Sequence, residues 1–210
     1  MILYQLLERV GFRPFATRLY RVRVEGAERI PSEGPCILVA NHESLIDPWI
    51  LGLATRRPIR YMAKADFWRY PLLRTVMDAF GTFPIERGGG DTEALSHAER
   101  LLCAGQVLGI FPQGTCLPYR IRPWHRGAAR LALATGSPLV PVALVGTEKA
   151  LRPHRFKLGL PKIRVLVARP FEVASQKPTI AAAKALTARI EETIAELRAP
   201  YGPPAHTWID

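Results

Sequence analysis

The hydrophobic period of the chain changes repeatedly, and each change predicts an element. Between residues 2 and 19, Leu3, Leu6, Leu7 and Val10 recur at helical spacing, followed by Phe12, Phe15 and Leu19, with Arg9, Arg13 and Arg18 around a single Glu8. That pattern predicts an amphipathic segment lying along an interface, divided by Gly11 and Pro14 into two short helical pieces. Alternation over Arg21 to Glu25 predicts a strand, and the apolar run Cys36 to Ala40 predicts a buried one. Further strands are expected at Ile59 to Ala63, Thr82 to Ile85, Val107 to Phe111, Leu139 to Leu144 and Ile163 to Val167. Helices are expected at Pro48 to Ala54, Asp66 to Phe80, Thr92 to Cys103, Gly127 to Thr135 and Thr179 to Arg198. The last carries Leu186, Ile190, Ile194 and Leu197 on one stripe. Strands trading places with helices predict an α/β fold: a single domain with a mixed, largely parallel sheet flanked by helices. It would occupy residues 21–200, after a membrane-docking segment at 1–20 and before an irregular tail at 201–210.

Composition narrows the class. The 210 residues are 48% hydrophobic, which excludes a disordered chain, and 29 Lys+Arg against 18 Asp+Glu leave a formal charge of +11. Such a surplus suits nucleic acid, an anionic membrane face, or acidic substrates and partners. Three cysteines without CxxC spacing imply a reducing compartment and no structural zinc. The longest apolar runs fall short of the ~20 residues of a spanning helix. Glu8 and Arg9 interrupt anything resembling a signal peptide, so a cytoplasmic location is expected.

Candidate chemistry sits where strands end, the place where open α/β sheets bind ligands. Directly after Cys36 to Ala40 comes Asn41-His42-Glu43-Ser44-Leu45-Ile46-Asp47-Pro48. Pro48 keeps Asp47 out of helical geometry, so its carboxylate can face back along the loop. There it could hold the His42 imidazole in one tautomer and leave it as a general base for a hydroxyl nucleophile. On these residues alone the competing account is that Asp47 caps the next helix and His42 is an ordinary loop residue.

Three further segments add to this. Gly81-Thr82-Phe83-Pro84-Ile85-Glu86-Arg87 ends a strand on an arginine, Phe111-Pro112-Gln113-Gly114-Thr115 ends another on a turn, and Leu139-Val140-Pro141-Val142 opens a third. Across about residues 20–170 the chain resembles the glycerolipid acyltransferase family, whose four ordered blocks read NHxxxxD, GxxxxxR, an FPEGTR-like block and a VPV-like block. The resemblance implies that His42 is the catalytic base and Asp47 its orienting carboxylate. It implies that Arg87 binds the phosphate of the acceptor, with Lys64 adding charge nearby. Asn41 would brace the loop or the reacting centre, and Gln113, Gly114 and Thr115 would hold the acceptor. The third block departs from the family, with Gln113 in place of the usual Glu and Cys116 in place of the usual Arg. Arg120, Arg122, His125 or Arg126 could supply the missing charge.

The implied activity is transfer of a fatty acyl group from acyl carrier protein or acyl-CoA to the free hydroxyl of 1-acylglycerol 3-phosphate, giving phosphatidic acid. No metal or bound cofactor is needed, the thioester being a co-substrate. The implied setting is the cytoplasmic face of the cell membrane, peripherally bound to an anionic surface. The basic stretch Lys149 to Arg169 then reads as a face near anionic lipid, since no nucleic-acid-binding motif accompanies it. Another lyso-lipid acceptor, or a catalytically idle lipid-binding protein, would be the alternative.

Overall fold

The computed structural model describes residues 12–79, 81–85, 92–116, 123–151 and 159–202. Apolar runs bounded by turn residues become strands: β1 (Arg23–Glu25), β2 (Cys36–Ala40), β3 (Ile59–Lys64), β4 (Phe83–Ile85), β5 (Val107–Ile110), β6 (Leu139–Val145) and β7 (Arg164–Val167). They form one sheet in the order β1-β7-β6-β2-β5-β3-β4. All neighbours run parallel except β6 and β7, which are antiparallel, so the sheet is mixed and largely parallel.

The helices are α1 (Phe12–Leu19), α2 (Asp47–Gly52), α3 (Pro71–Ala79), α4 (Thr92–Cys103), α5 (Gly127–Thr135) and α6 (Ile180–Arg198). Side chains alternate across a strand, so β2 feeds two cores at once. Cys36, Leu38 and Ala40 join Ile50 and Leu51 of α2 on one face. Ile37 and Val39 join residues of α4, α5 and α6 on the other. Covering both faces explains why β2 is apolar at every position. Thr179 caps α6, its side chain accepting from the Ala182 N–H at 3.1 Å.

One predicted helix is divided. The segment expected as a helix from Asp66 to Phe80 is a 3-10 turn over Ala65–Arg69 followed by α3. Tyr70 between them is extended, at φ −102 and ψ 114, because the ring of Pro71 excludes helical geometry from the residue before it. At the N-terminus, α1 begins at Phe12, which puts Pro14 in a first turn where no intrahelical N–H is lost. The rest of the predicted amphipathic segment lies outside the described residues.

The topology sets the site. From β2 the chain moves to β3 and β4 on one side, returns to β5 beside β2, and then crosses to β6 on the other side. The strand order reverses around β2, whose C-terminal end therefore opens on a crevice flanked by the ends of β5 and β6.

Candidate functional site

The loop after β2 is built around the Asp47 carboxylate. Asp47 Oδ2 accepts three hydrogen bonds, from the Glu43 N–H at 2.6 Å, the Ser44 N–H at 2.8 Å and His42 Nδ1 at 2.8 Å. The N-cap of α2 is Ile46 and has no side-chain cap, so the carboxylate serves the loop rather than the helix that follows. This decides between the two accounts that the sequence leaves open. The Asp47 side chain is 0% exposed and that of His42 is 17% exposed. An acceptor on Nδ1 makes that nitrogen the donor and leaves the lone pair on Nε2, which has no protein partner among the described residues.

The imidazole is held from a second side by the residue that follows β5. Phe111 stacks on the His42 ring with centroids 4.4 Å apart, and Tyr61 of β3 stacks behind Phe111 at 6.1 Å. Tyr61 is itself anchored, donating its hydroxyl to the Pro48 carbonyl at 2.7 Å. Gly109 makes room for this ring, because a Cβ there would lie 2.3 Å from Tyr61 Cε1. Phe111 and Tyr61 are functional supports that periodicity alone reads as ordinary strand residues.

Gln113 accepts a hydrogen bond from the His42 backbone N–H through Oε1. Its amide NH₂ is thereby turned away from that contact and offers donors, where a carboxylate would offer acceptors. The turn carrying Gln113 closes with the Gly114 N–H donating to the Phe111 carbonyl at 3.0 Å. Gly114 takes the left-handed conformation at φ +68, with the His125 ring packed close enough that a Cβ would approach it to 3.1 Å. Thr115 follows the turn and is half-buried.

Asn41 is 2% exposed and bonded on both sides of its amide. Its Nδ2 donates to the Leu144 carbonyl at 2.9 Å and its Oδ1 accepts from the Leu144 N–H at 2.7 Å, tying the end of β2 to β6. The amide thus braces the loop through one donor and one acceptor. Ser44 is equally committed, donating its hydroxyl to the Leu151 carbonyl at 2.8 Å.

Lys64 ends β3 at the same edge of the sheet, in register with Ile85 of β4, and is ion-paired to Asp66. Arg87 lies outside the described residues, as do Arg120 and Arg122. His125 and Arg126 are exposed just before α5. Of the basic stretch toward Arg169, Arg164 is turned onto the protein, bonded to Glu25 at 3.0 Å and over the Tyr201 ring at 5.0 Å. No group of three or more metal-ligating side chains occurs among the described residues.

Sequence reasoning also missed Glu43. Its carboxylate is gripped by both terminal nitrogens of Arg198, the last residue of α6, with the Nη2–Oε2 contact at 3.1 Å. A glutamate beside His42 carries no signal in one sequence, and its partner is 155 residues away.

Comparison with known proteins identifies the family and the fold. Residues 21–145, more than half the chain, match the model of the Acyltransferase family. The 1-acyl-sn-glycerol-3-phosphate acyltransferase of Bacillus subtilis is 28% identical over 178 residues, which is 81% of this chain and 87% of that protein. A chloroplastic 1-acyl-sn-glycerol-3-phosphate acyltransferase of Brassica napus is 30% identical over 136 residues, which is 63% of this chain. The match spans 39% of the length of that plant relative and 38% of a second, from Arabidopsis thaliana. The crystal structure of a 1-acyl-sn-glycerophosphate acyltransferase from Thermotoga maritima superposes with a TM-score of 0.71 at 24% identity, covering 91% of this chain and 80% of that one, and has the same fold.

Proposed function

Because the chain belongs to the Acyltransferase family, we propose that it is an O-acyltransferase that moves a fatty acyl group from a thioester of acyl carrier protein or coenzyme A to the free hydroxyl of 1-acylglycerol 3-phosphate, giving phosphatidic acid. The observation that carries this reading is the His42 Nδ1–Asp47 Oδ2 bond of 2.8 Å at the C-terminal end of β2. It leaves Nε2 with the lone pair that a general base needs.

Chemically, Nε2 takes the proton of the acceptor hydroxyl as that oxygen attacks the thioester carbonyl. The tetrahedral intermediate collapses, the C–S bond breaks, and the proton passes from Nε2 to the departing thiolate. Asp47 supports the imidazolium formed between these steps, and Phe111 holds the ring plane. Arg87 and Lys64 are assigned to the acceptor phosphate, for which a guanidinium offers a bidentate fork and an ammonium a point charge. Gln113, Gly114 and Thr115 form the turn against which the acceptor rests, and the Gln113 NH₂ can donate to an acceptor oxygen.

The enzyme works at the cytoplasmic face of a membrane, bound peripherally to an anionic leaflet. No helix among the described residues is long and apolar enough to cross a membrane. Between β3 and β4, by contrast, Phe67, Tyr70, Leu73 and Leu72, the last 78% exposed, stand in solvent beside the exposed Arg69 and Arg74. Apolar and aromatic side chains flanked by arginines suit an interface of acyl chains and headgroups.

The test is a purified-protein assay with labelled acyl thioester against a panel of lyso-lipids, together with His42→Ala. Acylation of 1-acylglycerol 3-phosphate that disappears in His42→Ala is expected. No acylated acceptor, or a variant as fast as the parent, refutes the mechanism. Sedimentation with anionic vesicles tests the location, with Leu72→Asp expected to weaken binding.

A further inference from the structure

Behind the catalytic loop lies a buried ion pair that the reaction as described does not use. Glu43 and Arg198 are 7% and 10% exposed at their side chains. Desolvation pushes the Glu43 carboxyl up, the bond and charge of Arg198 pull it down, and the charges of Glu148 and Asp47 push it up again. Glu43 of the loop therefore feels two further carboxylates, Asp47 of α2 and Glu148 of the 3-10 turn Thr147–Lys149 after β6, and is the one that Arg198 grips. Asp47 Oδ1, Thr147 Oγ1, Glu148 Oε2 and Arg198 Nε are enclosed without a protein partner among the described residues.

A buried ion pair seldom stabilises a fold more than a well-packed apolar pair of the same volume would, because desolvation offsets most of the attraction. What such a pair does supply is geometry, since a bidentate fork admits one relative orientation. The backbone it fixes here is that of Glu43, whose N–H donates to the same Asp47 oxygen that holds His42. The cation also sits at the C-terminal end of α6, where the helix dipole favours positive charge.

Resting on the acyltransferase reading above, we propose that Arg198 is a positioning residue. Through its two-point grip on Glu43, α6 clamps the loop so that Asp47 and the His42 imidazole stay aligned for proton transfer. Arg198 touches neither substrate; it acts through Glu43 and the loop backbone.

The experiment compares the full-length protein with Arg198→Met, Arg198→Lys and the double variant Glu43→Gln/Arg198→Met, the last removing both charges so that neither is stranded. Arg198→Met and the double variant are expected to lose about tenfold or more in kcat while KM for both substrates stays within about twofold, because only alignment is lost. Arg198→Lys keeps the charge and recovers part of the rate. Histidine-ring NMR supplies a readout that a purely structural role would leave alone. The low-field Nδ1 proton of His42, held on Asp47, is expected in the parent and in Arg198→Lys, and is lost to exchange in Arg198→Met and the double variant. A folded double variant that keeps both the parental kcat and this proton overturns the proposal, as does a loss that falls on KM instead. Should the parent acylate no lyso-lipid, the acyltransferase reading fails, and the ring spectra still decide whether Arg198 positions His42.

Discussion

Replacing Asp47 separates what its charge does from what its shape does. Oδ2 carries all three hydrogen bonds and Oδ1 carries none from protein. Asn can therefore place its oxygen at the Oδ2 position and its NH₂ at the vacant one, keeping the loop while removing the charge. Asp47→Ala removes both, leaving the Glu43 and Ser44 amides without their acceptor. Each stranded amide costs about 1–3 kcal/mol, so Asp47→Ala should lose about 2–6 kcal/mol of stability and Asp47→Asn only about 1 kcal/mol. Catalysis should rank differently. Unit charges about 4 Å apart attract by about 4 kcal/mol at an effective dielectric near 20, and the amide dipole retains part of this. Asp47→Asn should then destabilise the imidazolium by about 2–4 kcal/mol, a fall in kcat of ~30- to ~900-fold at about 1.36 kcal/mol per factor of ten. Urea denaturation and single-turnover acyl transfer measure the two quantities. An Asp47→Asn protein within about threefold of the parental rate would refute the charge argument, and one as unstable as Asp47→Ala would refute the assignment of a purely geometric role to Oδ2.

Other outcomes follow from the same contacts. Asn41→Ala strands the N–H and carbonyl of Leu144 and should cost about 2–4 kcal/mol in chemical denaturation; a loss below about 0.5 kcal/mol would mean that water replaces the brace. Gly109→Ala drives a methyl into Tyr61, whose hydroxyl is anchored on Pro48, and should cost about 1–3 kcal/mol together with part of the rate through the Phe111 stack. Of the three cysteines, Cys103 is exposed while Cys36 and Cys116 are buried, so native alkylation at pH 8 should label Cys103 alone by mass spectrometry. Burial pushes the Cys36 thiol up to about 11 from 9.0, so the stability that this neutral thiol contributes is fully present below pH 9 and is lost as pH rises through about 11. Rapid labelling of Cys36 at pH 8 would contradict its placement in β2.

The local parts of the site were legible because their physics is local. His42 and Asp47 are five residues apart, close enough for an imidazole–carboxylate bond across the loop. Asp47 is nonetheless the first residue of α2 and is not held out of helical geometry by Pro48, which fits in the helix's first turn. Buried strands and amphipathic helices announce themselves by period, and all seven strand positions were readable to within about two residues. The exception in kind was Asp66 to Phe80, where periodicity ran through a proline that the backbone could not follow.

The rest required the chain to be folded, because it depends on which elements meet. β2, β5 and β6 are apolar runs, and nothing in such a run says which strand lies beside which. Yet the pairing of β5 with β2 brings Phe111 onto the imidazole and the Gln113 oxygen to the His42 amide, 71 residues away. The Asn41 brace spans 103 residues and the Arg198 grip 155. Sequence alone determined the His42–Asp47 pairing and the class of fold, since both follow from short-range spacing and periodic burial. Only the tertiary structure decided how that pair is held. Hydrogen bonds and ring contacts between distant segments form where packing of the two cores puts them, and no local pattern encodes that meeting.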